Sequence, residues 1–298
     1  MIVFAILILL FILYKKLNKP SLNEGFSQNE RFVLKRDSDA YDEFYVKIYD
    51  TLHLPENKVN SEMKMIVDMT QASEKSAFLD IGSGTGHLVN SLQSAGYRAY
   101  GIDKSKAMVN QSTERFPHIH SKCGDVSEPM AFEKNTFSHI LCMNQTIYQF
   151  QDKVAFFRNC FYWLMPGGYL VVHLVDRDNF DTIVSAGKPS VFGTSSPQKF
   201  AQKRITDTII DFGDFQYKSE YDFNNKNSDI AVFKETFTDK LSSNVRQNEQ
   251  TLYMEDISDI IKSAQFSGFM LQGKADMRDC AGTRDEHQYI YVFERPMS

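Results

Sequence analysis

With 298 residues, 42% of them hydrophobic, and a formal net charge of −5, the chain is long enough to bury a substantial core. It has no basic run beyond its first segment, no internal repeat and no low-complexity tract, which argues against a nucleic-acid binder, a repeat array and a disordered chain. Cys123, Cys142, Cys160 and Cys280 have neither the spacing of a disulfide framework nor that of a zinc site, so no metal is expected.

Residues 1–14 are almost wholly apolar and are followed by Lys15, Lys16 and Lys19. At 1.5 Å per residue this run reaches about 21 Å, against roughly 30 Å of hydrocarbon. Adding Leu17 and letting the lysines snorkel brings a span within reach. No basic residue precedes the run and no small-residue cleavage site follows it, so residues 1–19 read as an uncleaved single-pass membrane anchor rather than a signal peptide. Lysines after the anchor place the rest of the chain in the cytoplasm. The sequons at Asn110 and Asn144 fit a lumenal location poorly, because they fall in the region that binds ligand. Residues 20–39 are polar and mixed in charge and read as a linker, and residues 40–298 as one globular domain.

Tyr41, Phe44, Tyr45, Ile48 and Tyr49 recur at three- and four-residue spacing, which predicts a helix, and a second helix follows over residues 62–72. Residues 77–81 are an apolar run interrupted only by Asp80 and predict a buried strand. Gly82-Ser83-Gly84-Thr85-Gly86 then gives a turn that a ligand can approach without Cβ atoms in the way, and the helix opening at His87 turns its N-terminal N–H groups toward it. Ala99-Tyr100-Gly101-Ile102 predicts a second strand closed by Asp103, about 20 residues on, where a carboxylate can accept bonds from ribose hydroxyls. The dinucleotide fingerprint requires a glycine where this chain has His87. Ser105 caps a helix carrying Ala107, Met108 and Val109, and a third strand ends at Cys123-Gly124-Asp125-Val126.

Residues 137–143 predict a fourth strand, and the loop beyond it holds Asn144, Gln145 and Tyr148. A helix over residues 152–164 ends at Pro166-Gly167-Gly168, after which residues 169–175 form a fifth strand. Residues 189–254 break the alternation of strand and helix. Strand-like patterns at 215–223 and 230–237 with a turn at 224–227 predict an inserted antiparallel meander. A helix over residues 257–264 precedes strands at 269–275 and 288–294, the last antiparallel to the others.

Residues 80–86, Gly101-Ile102-Asp103 with Ser105 and Met108, Gly124-Asp125, and Leu164-Met165-Pro166-Gly167-Gly168 together resemble the class I S-adenosylmethionine-dependent methyltransferases, types 11 and 25 among them. The resemblance implies a Rossmann-like, seven-stranded, mostly parallel sheet with helices on both faces and the meander inserted before strand six. It implies S-adenosyl-L-methionine as cofactor, held by Asp80, Gly82, Ser83, Gly84, Thr85, Gly86, Asp103, Lys104, Met108, Gly124, Asp125, Val126 and Asn144. Met108 would lie against adenine or serve as core. Asp125 would accept from the adenine amino group or cap a turn. Tyr41 and Tyr45 would lid the site, pack the helix, or both. Arg177, after strand five, matches the position that grips a substrate carboxylate in small-molecule N-methyltransferases of the glycine type, or forms an ion pair with a neighbouring aspartate. Methyl transfer needs alignment, exclusion of water and at most a proton acceptor. His173, Tyr148 and Asn144 are the candidates for that part, and alternation along strand five equally suits His173 as a buried core residue. The resulting expectation is a membrane-anchored methyltransferase acting on a small molecule, an amine or a carboxylate-bearing amine being favoured. The alternatives are a lipid or isoprenoid acceptor at the membrane surface, and a scaffold that binds the cofactor without turnover.

Overall fold

The computed structural model describes residues 30–54, 58–188, 196–223, 229–280 and 286–297. The anchor over residues 1–19, the first part of the linker and the turn at 224–227 lie outside the described residues. Among the described residues no helix is long and apolar enough to cross a membrane.

A seven-stranded sheet runs in the order β11 (Met270–Asp276), β12 (Gln288–Glu294), β6 (Leu164–Val175), β5 (Phe137–Cys142), β2 (Ala77–Ile81), β3 (Arg98–Asp103) and β4 (His120–Cys123). β12 pairs antiparallel with both of its neighbours, and the remaining pairs are parallel. All five residues of β2 are buried, as a central strand covered on both faces requires. Its side chains alternate between two cores. Phe78 packs with Ile66, Leu88 and Leu92 of helices α2 (Lys58–Thr70) and α3 (His87–Ser94). Leu79 and Ile81 pack with Met108 of α4 (Lys106–Arg115), Phe157 and Trp163 of α5 (Lys153–Trp163), and Ile260 of α6 (Ile257–Phe266). This is the expected doubly covered Rossmann-like sheet.

A second sheet of five strands has the order β1 (Phe32–Arg36), β10 (Val245–Tyr253), β9 (Ile230–Asp239), β8 (Phe215–Asp222) and β7 (Asp207–Asp211). It corrects two expectations. The meander has four strands, not two. The linker reading also fails over its last part, because Phe32–Arg36 pairs in parallel register with Val245–Glu249, from Phe32↔Val245 to Arg36↔Glu249. A five-residue edge strand exposes alternate side chains and so carries little hydropathy signal. A smaller correction concerns Pro166-Gly167-Gly168, which lies within β6. Gly167 adopts a left-handed φ of 73° there, and its N–H donates to the Arg295 carbonyl at 2.8 Å.

Helix α1 (Glu43–His53) joins the two sheets. Asp42 caps it, accepting from the Phe44 and Tyr45 N–H groups at 3.2 Å, and its buried face (Tyr45, Val46, Ile48, Leu52) packs into the core on the Leu79 side. The second sheet and α1 therefore close over the C-terminal ends of β2 to β5, where an open α/β sheet places its ligand.

Candidate active site

A cavity of about 580 Å³ lies between the two sheets. One half is built by the strand ends. Gly82, Gly84 and Gly86 all have left-handed φ, and a Cβ at Gly82 would sit 2.6 Å from Thr146 Cγ2. Asp103 stands across the turn, with Oδ2 accepting from the Gly84 N–H and Oδ1 from the Ser105 N–H, both at 2.8 Å. Burial raises the Asp103 carboxyl above its usual range, and the two N–H groups pull it back. Each oxygen keeps a lone pair, so the carboxylate can still accept from a vicinal diol. Met108, Ile102 and Val126 give the apolar wall beside it. Asp125 closes that wall and pairs with Lys104 at 2.9 Å. Burial alone would raise Asp125, but Ser127 and Lys104 hold its carboxyl below the usual range. Open glycine backbone, a diol acceptor and an apolar slot ending in a carboxylate fit the amino-acid, ribose and adenine parts of S-adenosylmethionine.

Of the residues expected to hold the cofactor, Gly82, Gly84, Asp103, Lys104, Met108, Gly124, Asp125, Val126 and Asn144 line this cavity. Asp80, Ser83, Thr85 and Gly86 do not. Asp80 is buried on the Phe78 side of β2, where burial and then the Asp103 and Glu62 charges raise its carboxyl well above the usual range. Ser83 is buried against the Cα of Gly101, and the Thr85 hydroxyl donates to Asp50 Oδ1 at 2.6 Å. Gly86 is the left-handed N-cap of α3. These four shape the turn from beneath. Asp50 holds the turn from outside, taking bonds from Thr85, His87 (3.1 Å) and Arg115.

The other half of the cavity belongs to α1 and the second sheet. Tyr41, Tyr45, Tyr49 and His53, four residues apart, form one stripe, with ring centroids 5.6, 5.7 and 4.9 Å apart in succession. Tyr221 and Phe233 face them from β8 and β9. Behind the stripe lies Glu235, whose side chain is fully buried at the middle of the inner face of β9. Glu235 Oε1 accepts from the Tyr217 hydroxyl at 2.8 Å and meets His53 Nε2 at 3.3 Å. The Tyr45 hydroxyl lies 3.0 Å from the same nitrogen. Burial raises the Tyr41, Tyr45, Tyr49 and Tyr221 phenols, and all four feel the Glu235 charge. Tyr41 also bridges the two halves: its hydroxyl donates to Gln250 Oε1 and accepts from Gln149 Nε2, each at 2.9 Å, while its carbonyl accepts from the Ser105 hydroxyl.

The candidates for proton transfer and substrate binding divide. Asn144 lines the cavity from a left-handed backbone (φ 49°), and His173 borders it from β6. Tyr148 does not line it; its hydroxyl is tied to the Val175 backbone. Arg177 is also outside. Its guanidinium stacks over Phe223 at 5.4 Å and lies 3.5 Å from Asp178. Tyr41 and Tyr45 line this half of the cavity, and so do Tyr49 and His53, with Glu235 behind them, three residues not singled out as site candidates in the sequence. His53 continues the four-residue period of the tyrosines, and Glu235 is a charge at an inward position between Phe233 and Phe237. Both signals were present in the sequence.

Residues 78–168 match the family model described as a methyltransferase domain. No curated protein sequence matches the chain. Among solved structures, an S-adenosylmethionine-dependent methyltransferase from Clostridium acetobutylicum superposes with a TM-score of 0.62 at 16% identity, over 85% of this chain and 98% of that one. The CcbJ methyltransferase from Streptomyces caelestis gives 0.62 at 14% identity, over 87% and 99%. The amino pentose methyltransferase CalS10 from Micromonospora echinaspora, solved with S-adenosylmethionine bound, gives 0.54 at 17%, over 80% and 92%. At such identities the likeness establishes the fold alone.

Proposed function

We propose that this chain, which carries an S-adenosylmethionine-dependent methyltransferase domain, methylates a small-molecule amine. The observation that carries the reading is the aromatic stripe Tyr41–Tyr45–Tyr49–His53 with Tyr221 and Phe233, backed by the buried carboxylate of Glu235. Aromatic faces and a fixed negative charge attract a cation, as a protonated amine is before transfer and a methylated ammonium is afterwards. They offer no comparable gain to an alcohol or a carboxylate. Among the structural neighbours, the sugar N-methyltransferase KedS8 from Streptoalloteichus and the amino pentose methyltransferase CalS10 are in keeping with an amine acceptor.

S-adenosylmethionine, when bound, supplies a methyl group on a sulfonium, a good leaving group for in-line displacement. The chain's own contribution is placement and exclusion of water. Gly82, Gly84, Asp103 and Asp125 would hold the donor, and α1 with the second sheet would hold the acceptor against it. Release of S-adenosylhomocysteine, screened over amines, amino acids, alcohols and lipid extracts, tests the reading. Turnover confined to amines supports it, and turnover confined to lipid extracts would replace it.

The apolar residues 1–14 and the lysines after them motivate a second proposal, that the chain is held at a membrane with this domain on the cytoplasmic side. Carbonate extraction should leave the full chain in the membrane, and deletion of residues 1–19 should release it. Protection of the domain from protease added to vesicles with the cytoplasmic face outward, or a glycan on Asn144, would overturn the orientation.

A further inference from the structure

His53 and Glu235 form an arrangement that amine binding alone does not require. Glu235 is fully buried, and as a carboxylate it can only accept. Tyr217 donates to its Oε1 at 2.8 Å. His53 Nε2 sits 3.3 Å from Oε1 and 3.0 Å from the Tyr45 oxygen, so the tautomer that satisfies this cluster carries its hydrogen on Nε2. Nδ1 is then the bare nitrogen. It makes no hydrogen bond among the described residues, and the His53 ring lines the cavity with its side chain 22% exposed. Among the described residues Glu235 Oε2 also lacks a hydrogen-bond partner. A buried carboxylate so incompletely satisfied gains from a positive charge arising beside it.

We propose that His53, oriented by Glu235, accepts the proton that the acceptor amine loses on methylation. The inference rests on the amine reading above. The amine nitrogen gives one N–H proton to Nδ1 and uses its lone pair to form the N–C bond; the methyl C–S bond breaks, and its electron pair stays on sulfur as the neutral thioether of S-adenosylhomocysteine. The imidazolium returns its proton to solvent after product leaves. His53 is the catalytic residue in this scheme and Glu235 the positioning residue. Tyr45 and Tyr49 on α1 lie against the ring, Tyr217 of β8 shares Glu235 Oε1 with it, and Tyr221 of β8, Lys58 of α2, and Asp181 and Lys188 after β6 are further titratable or charged groups lining the same cavity.

The test uses the full chain and its H53N, H53Q, E235Q and E235D variants. ¹⁵N-imidazole spectra, with His53 assigned by its loss in H53N, should show Nε2 protonated and Nδ1 bare, and E235Q should shift the tautomer balance toward Nδ1. S-adenosylhomocysteine affinity should stay within about twofold in all four, while kcat falls about 10²- to 10⁴-fold in H53N and H53Q. Both should lose the acid limb of the wild-type kcat profile, and E235D should recover part of what E235Q loses. Amine turnover in H53N and H53Q close to wild type, with the acid limb intact, would overturn the role of His53 and leave the amine reading standing. An Nδ1-protonated tautomer in the wild type would overturn the orientation by Glu235. A wild type that methylates no amine would overturn the amine reading, and the proton-acceptor role with it.

Discussion

The Tyr148 hydroxyl is bound twice to Val175, accepting from its N–H at 2.8 Å and donating to its carbonyl at 3.2 Å. The pair fastens the loop after β5 to the last residue of β6, tying together two strand ends that border the site. A hydroxyl whose only hydrogen is committed to a backbone carbonyl, and whose phenol burial raises further, is a structural bolt and not a proton acceptor. Tyr148→Phe should therefore cost about 1–3 kcal/mol of stability, because it leaves buried backbone groups of Val175 short of a partner. Denaturant unfolding measures that loss, and S-adenosylhomocysteine affinity measured alongside should change less than about threefold.

Asp103 is the group on which cofactor binding most depends. Asp103→Asn keeps its size but replaces an ionised acceptor for the ribose hydroxyls and for the Gly84 and Ser105 N–H groups. Calorimetry should show S-adenosylhomocysteine binding weakened by about 1–3 kcal/mol. Because burial raises the Asp103 carboxyl, and binding favours the ionised form, wild-type affinity should fall as pH drops through that raised pKa, and the variant should lack this fall. Affinity unchanged in Asp103→Asn would place the carboxylate in a purely structural role.

Tyr49 tests the aromatic half of the cavity. Tyr49→Leu removes a ring at the centre of the stripe, whereas Tyr49→Phe keeps it. The leucine variant should raise KM for the amine by about 3- to 30-fold, the range of a cation–π contact, while kcat and cofactor affinity move little. The phenylalanine variant should stay near wild type. Steady-state kinetics with both variants separate a cation platform from generic packing.

Much of this architecture was legible in the chain because hydrophobic period and glycine spacing are local. The strand at 77–81, the turn over Gly82, Gly84 and Gly86, Asp103, and the antiparallel last strand all follow from such signals. The second sheet was legible only in part. β10 turns Arg246, Asn248, Gln250 and Leu252 inward, so its buried face is mostly polar and shows no apolar alternation. Arg246 is satisfied at long range by Asp42 at 2.9 Å and by the Ala40 carbonyl, partners over 200 residues away in sequence. Glu235 and His53 are 182 positions apart, and only the folded pairing of α1 with β9 makes them neighbours. Arg177 illustrates a choice the sequence left open: after β6 it could grip a substrate carboxylate or pair with a neighbouring aspartate, and it lies 3.5 Å from Asp178, stacked over Phe223 and outside the cavity lining.

Asp80 gives a prediction about stability and pH. Its carboxyl is raised in the folded state, first by burial and then by the Asp103 and Glu62 charges. The protonated form is therefore the one folding favours. Its stabilising contribution is complete below the unfolded pKa and is lost as pH rises through the folded value. Asp80→Asn removes this dependence. Melting curves should place the variant above wild type near pH 8, with the gap closing or reversing below about pH 4, the ordinary aspartate range. A variant less stable than wild type at pH 8 would show that the ionised carboxylate is held by compensating bonds.

The central claim is that the aromatic half of the cavity presents an amine to the methyl donor. The most direct test incubates the full-length protein with S-adenosylmethionine labelled with ¹³C in its methyl group and the best amine from the turnover screen, and follows the label by NMR. One new N-methyl resonance is expected, growing in step with S-adenosylhomocysteine and, at cofactor and amine levels below saturation, growing far more slowly when Asp103 is replaced by asparagine together with Tyr49 by leucine. Label appearing on an oxygen or in a lipid fraction, or S-adenosylhomocysteine released with no N-methyl product, would contradict it.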